Sequence, residues 1–155
     1  MKIFLTFKEF IKEFNLKNKA TSNIKIKKVL DKLGLKFPLI ECGIYMRDDN
    51  FTTSVGIVNL HPYKGTHWVL YINRFYFDSY GILPPLSIQK YIKSKYKTLI
   101  YSEYKIQNNN NKVQDSYCAA YCLYIIYLCE IIGLPFQKAV LKLYYQCAYS
   151  DHSSR

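Results

Sequence analysis

From residue 118 to residue 132 the chain reads Cys-Ala-Ala-Tyr-Cys-Leu-Tyr-Ile-Ile-Tyr-Leu-Cys-Glu-Ile-Ile, with Glu130 as its sole charge. A helix that is apolar on every side has no solvent face, so the rest of its domain must wrap it. Gly133 can end it in the left-handed conformation, and Pro135 cannot continue it. The run is too short to span a bilayer. The pattern therefore predicts a buried helix over 118–132, and the fold is one that can surround it.

The remaining elements supply that surround. Thr6 and Glu9 fit a capping box, with Phe7, Phe10, Ile11 and Phe14 at helical spacing, which predicts a helix over about 6–15. Ser22 can cap a second helix over 22–33, which Gly34 can end. Residues 37–46 read as extended and 47–54 as a polar loop. Strands are expected at 55–60, 68–72 and 75–77, with Asn73-Arg74 as a short turn between the last two. Gly81, Pro84 and Pro85 break the sheet, and a helix starts near Leu86. Residues 99–106 read as a further strand, 108–111 as an all-asparagine loop and 136–147 as a last helix. Helices first, a mixed sheet in the middle and a buried helix after it make an α+β arrangement.

At 155 residues the chain is expected to be one domain, 1–155, with a polar tail at about 150–155. Half of the residues are hydrophobic, which excludes a disordered chain. A formal net charge of +11 favours contact with nucleic acid or another polyanion, although the lysines are spread out. No zinc-finger or RNA-binding signature accompanies them. The five cysteines, Cys42, Cys118, Cys122, Cys129 and Cys147, are odd in number and lack the spacing of a secreted scaffold. Lys8, Glu9 and Lys12 stand where a signal peptide needs an apolar run. The expectation is a soluble protein with reduced thiols, inside a cell or a virion, not secreted and with no membrane partner.

Three polar residues at the ends of apolar segments carry the chemistry. His67 precedes Trp68-Val-Leu-Tyr71, Asp78 follows Phe75-Tyr-Phe77, and Cys118 opens the buried helix. A nucleophilic thiol, a base and a residue to orient the base are what a cysteine hydrolase needs. At a helix start, unpaired amides and the helix dipole favour a thiolate. Folding 68–72 onto 75–77 as a hairpin brings His67 and Asp78 to the same end of the sheet. Each residue also has a plainer reading: a core cysteine, a structural histidine and an aspartate making a turn with Tyr80 or Gly81. Cys122 and Cys129 fit that plainer reading, on a core-facing side of the helix. His61 and His152 compete with His67 from a loop and from the tail. A developing oxyanion also needs a side-chain donor, for which Gln114 is preferred over Gln107. They lie four (118 − 114) and eleven (118 − 107) positions before Cys118. No nearby His or Cys pair completes a zinc set with Cys118 and Cys122, so no metal is expected.

These segments resemble the adenovirus-type viral cysteine proteases (adenains) and their relatives in Maverick/Polinton elements and adintoviruses, within the wider group that includes the SUMO proteases. Gly-Thr-His67-Trp-Val is similar to the family's His-Trp motif. Tyr76-Phe-Asp78-Ser-Tyr-Gly81 with the following Ile-Leu-Pro-Pro is similar to its acidic motif, and Cys118-Ala-Ala-Tyr-Cys122-Leu-Tyr to its nucleophile helix. Gly43-Ile-Tyr-Met-Arg-Asp48 adds to the likeness, which covers about 20–130. The family usually has Gly directly after the nucleophile, where this chain has Ala119. The resemblance implies a papain-related, adenain-like α+β fold. His67 would be the base, Asp78 its partner, Cys118 the nucleophile, and Gln114 or Gln107 a donor to the oxyanion. It implies a monomeric endopeptidase cutting after Gly-Gly through a thioester, maturing capsid and core proteins in the virion or infected cell (nucleus or cytoplasm). Its chemistry would need no cofactor, with double-stranded DNA or a peptide as activator. Two alternatives are a protease that removes ubiquitin-like proteins and an inactive DNA- or capsid-binding module on the same fold.

Overall fold

The computed structural model describes residues 4–41, 51–60, 67–107 and 115–150. In chain order the elements are α1 (Phe7–Glu13), α2 (Asn23–Leu33), β1 (Leu39–Glu41), β2 (Val55–Asn59), β3 (Trp68–Ile72), β4 (Phe75–Phe77), α3 (Leu86–Tyr96), β5 (Ile100–Tyr101), α4 (Cys118–Ile126) and α5 (Phe136–Ser150). The strands form one mixed sheet in the order β1-β2-β3-β4-β5. β2, β3 and β4 are antiparallel neighbours, and β1 and β5 pair parallel to β2 and β4 at the two edges.

β3 is buried along its whole length because both faces of the sheet are covered. Trp68, Leu70 and Ile72 join a core with residues of α1, α2, α4 and α5. Val69 and Tyr71 face the other way and pack with Ile88 and Ile92 of α3. The period-2 alternation of a strand thus divides one apolar run between two cores. All nine residues of α4 are buried, as its composition requires. It packs on β3 and is also touched by α1, α2 and α5.

An apolar helix rich in tyrosine must still satisfy its hydroxyls. The Tyr124 hydroxyl donates to the Leu5 carbonyl at 2.7 Å and accepts from Gln146 Nε2 at 2.9 Å. The Tyr127 hydroxyl accepts from the Leu5 amide at 2.8 Å. These bonds tie α5 and the segment leading into α1 to the helical stretch 118–132.

Both expected helix starts are capped as the sequence suggests. Thr6 and Glu9 form the capping box, and Ser22 Oγ accepts from the Lys25 amide. Gly34 ends α2 at φ 73°. The strand expected at 99–106 is much shorter, Ile100–Tyr101. β4 ends at Phe77, so later residues have no ladder to extend, and the amides of Ile106 and Gln107 donate instead to the Ser79 carbonyl. The helix expected over 118–132 is α-helical only to Ile126, and Tyr127–Ile132 widens into a π-helical turn. There the Gly133 amide reaches back five residues to the Leu128 carbonyl, and Gly133 adopts φ 91°. α5 runs on to Ser150, beyond the expected end at 147. The all-asparagine loop, residues 42–46 of the extended stretch, residues 47–50 of the polar loop, residues 151–155, Cys42, His61, His152 and Gln114 lie outside the described residues.

Candidate active site

The β3–β4 hairpin builds half of the site. Its turn, Asn73-Arg74, places Asn73 at φ 55°, a conformation that asparagine tolerates better than most residues. The register pairs Leu70 with Phe77 and Ile72 with Phe75, which brings the start of β3 beside the end of β4. His67 and Asp78 meet there, with Nε2 to Oδ1 at 2.9 Å. The same Asp78 oxygen accepts from the Tyr80 amide at 2.8 Å, and the Asp78 carbonyl accepts from the Gly81 amide at 2.8 Å. The turn role and the His-orienting role of Asp78 thus coexist. Gly81, at φ 71°, is required: a Cβ there would lie 2.6 Å from the Glu103 carbonyl oxygen.

α4 supplies the other half. With Nε2 taken by Asp78, Nδ1 is the ring nitrogen left for the Cys118 thiol, which hydrogen-bonds the imidazole. Burial alone would lower the pKa of His67. The hydrogen bonds to Asp78 and Cys118, and the negative charge on both, outweigh it and push the pKa from 6.5 up to about 9. His67, Asp78 and Cys118 are 8%, 4% and 4% exposed, so the three-way contact is shielded from bulk water. The histidine ring also packs against Tyr80, centroids 4.8 Å apart, and its backbone amide donates to Asn59 Oδ1 at 3.2 Å. Ring and backbone are therefore both held.

The approach to Cys118 is tied down from several sides. Asp115 Oδ1 accepts from the Tyr117 amide, and Oδ2 from the Tyr121 hydroxyl. Asn18 accepts from the Ser116 amide, and the Trp68 indole donates to the Thr21 carbonyl at 3.0 Å. Gln107 bridges the halves: its Oε1 accepts from Ser79 Oγ at 2.6 Å, and its Nε2 donates to the Asp115 carbonyl at 2.9 Å. Its amide nitrogen carries a second N–H. Gln107 therefore sits between the residue after Asp78 and the residue three before Cys118. Ala119 is buried in the core, which is where its extra methyl goes.

The fold thus brings together His67, Asp78 and Cys118, and ties Gln107 to Ser79 and Asp115, which neighbour Asp78 and Cys118 in the chain. Sequence reading missed Asn59, whose one signal is an amide side chain ending an apolar strand, and Asp115, visible only as an acidic residue ahead of a helix. Among the described residues no group of three or more His, Cys, Asp or Glu side chains is arranged to hold a metal ion, and no helix is long and apolar enough to cross a membrane. Neither a family model, nor a curated protein, nor a solved structure matches the chain.

Proposed function

We propose that the protein is a cysteine endopeptidase of the adenain-like type, viral or virus-derived, that matures capsid or core proteins. The carrying observation is the imidazole of His67 bonded on one side to Asp78 and on the other to Cys118. A histidine so paired can hold a thiolate as its imidazolium partner.

The chemistry follows from those contacts. The Cys118 thiolate adds to the carbonyl carbon of the scissile peptide bond, forming a C–S bond. The oxyanion is held by the Cys118 amide, at a helix start where amides lack an intrahelical acceptor, and by a side-chain amide. Gln107 is taken as that donor on the strength of its two anchoring bonds, with Gln114 as its rival. The His67 imidazolium gives its proton to the leaving amine as the C–N bond breaks. Neutral His67 then removes a proton from water, whose oxygen adds to the thioester, and the C–S bond breaks to restore the thiolate. Asp78 keeps the ring in one tautomer throughout.

The test needs no substrate. The folded protein is treated with limiting iodoacetamide between about pH 6 and 7, where ordinary thiols with pKa near 8.5 react slowly. Fast labelling of Cys118 alone, lost in His67→Ala, is the expected result. Slow or indiscriminate labelling would overturn the assignment.

A second reading, a DNA-binding module without catalysis, has its own observation. α3 and its cap carry Lys90, Lys93, Lys95 and Lys97, all exposed, and no acidic residue. Duplex DNA affinity that falls steeply with salt, in a protein with an unreactive Cys118, would favour it. If Cys118 is reactive, the same salt dependence makes DNA a partner of the protease.

A further inference from the structure

β3 outruns its neighbour. The His67 carbonyl accepts from the Leu60 amide on the β2 side. By strand alternation Trp68 turns both its amide and its carbonyl to the opposite side, toward β4. β4, however, has ended at Phe77, and Ser79 gives its carbonyl to Ile106 and Gln107. Two sulfurs take the place of the missing strand. The Trp68 amide donates to Cys118 Sγ at 3.5 Å, and the Trp68 carbonyl accepts from Cys122 Sγ at 3.3 Å. Positions 118 and 122 are one helical turn apart and lie on one face of α4.

We infer that Cys122 is a positioning residue: its thiol holds the Trp68 backbone so that the Trp68 amide is aimed at Cys118 Sγ. This rests on reading Cys118 as the nucleophile and adds a residue that neither attacks nor touches substrate. The Trp68 amide supplies a hydrogen bond to the sulfur where its negative charge resides, and Cys122 fixes the direction of that bond. Burial, helped by the neighbouring Cys118 and Asp78, pushes the Cys122 thiol well above its ordinary range. Cys122 therefore keeps its proton and stays a donor. A thiol is a weak donor, but in a buried place a carbonyl without one goes unpaired.

The test compares Cys122→Ser with Cys122→Ala, which have nearly the same volume and differ in one donor. Two quantities are read: hydrogen exchange of the Trp68 amide, and the pH profile of Cys118 alkylation mapped by mass. In Cys122→Ala, Trp68 exchange is expected to quicken about fivefold, and Cys118 labelling at pH 6 to fall by a similar factor, as loss of one hydrogen bond would give. Cys122→Ser is expected to restore both. An alanine variant with a wild-type Cys118 profile would overturn the inference, whatever its Trp68 exchange. So would a serine variant that behaves like alanine, since sulfur volume would then be the cause. If the alanine variant does not fold, the serine variant decides alone: wild-type values support the role, and altered ones overturn it. Slow Cys118 labelling in the wild type itself would instead sink the protease reading, and Trp68 exchange would still report on the Cys122 contact.

Discussion

The helical stretch from Cys118 to Ile132 carries a cysteine near each end and treats the two oppositely. At its start Cys118 meets an imidazole, a backbone amide and the opening turn of a helix. In the π-helical turn Cys129 is half-buried beside Glu130, and burial, with that carboxylate, pushes its thiol up to about 12. The same side chain is thus a candidate nucleophile at one end and an inert wall at the other. Proximity to a helix is not what separates them. A paired imidazole and a backbone amide aimed at the sulfur do so, and they come from His67 and Trp68 at the start of β3.

That contrast can be broken at several strengths. The largest effect belongs to Cys118→Ala, which should abolish peptide hydrolysis while leaving the circular dichroism spectrum and melting temperature close to wild type. Retained cleavage would move the nucleophile elsewhere. Asp78→Asn should lower kcat by about 10⁴, the scale seen when the residue orienting a catalytic histidine is replaced. Wild-type turnover in that variant would reduce Asp78 to its turn. Gln107→Ala should cost about 10²–10³ in kcat and Gln114→Ala much less, since removal of one oxyanion donor has that magnitude. The reverse ranking gives the role to Gln114. In mid-helix the expectation inverts: Leu123→Ala should destabilise the fold by about 2–5 kcal/mol in denaturant titration, with Cys118 labelling per folded molecule unchanged. The smallest effect is on stability against pH. His67 has its pKa raised on folding from 6.5 to about 9, so its contribution is fully present below 6.5 and is lost as pH rises through 9. The melting temperature should therefore decline over that window, and the decline should shrink in Asp78→Asn.

Much of this was legible from spacing. Capping residues announced α1 and α2, and the charge-poor run announced a central helix. The two-residue turn was enough to bring His67 to Asp78. What sequence could not show depended on where neighbours stop. The apolar stretch after Leu99 reads as a long strand because Tyr and Ile favour one, but β4 is too short to pair with it. Cys122 reads as a core filler, because nothing local reveals that the Trp68 carbonyl has lost its strand partner. Gln107 looks too remote from Cys118 by residue count, yet the Ser79 bonds fold it back. The π-helical turn has no local signal that we can identify.

The order in which these contacts can form has a consequence for the life of the chain. His67 and Asp78 are joined by a hairpin, a local structure that can close within microseconds. Cys118 reaches the pair only when a segment some fifty residues on has docked, a non-local event that pays a larger loop-closure cost. A nascent or partly unfolded molecule therefore carries the His67–Asp78 pair without the Cys118 thiol, and the thiol without the pair. On the proposed function, reactivity would then be a late certificate of assembly, and an incomplete chain would be spared from attacking its neighbours or itself.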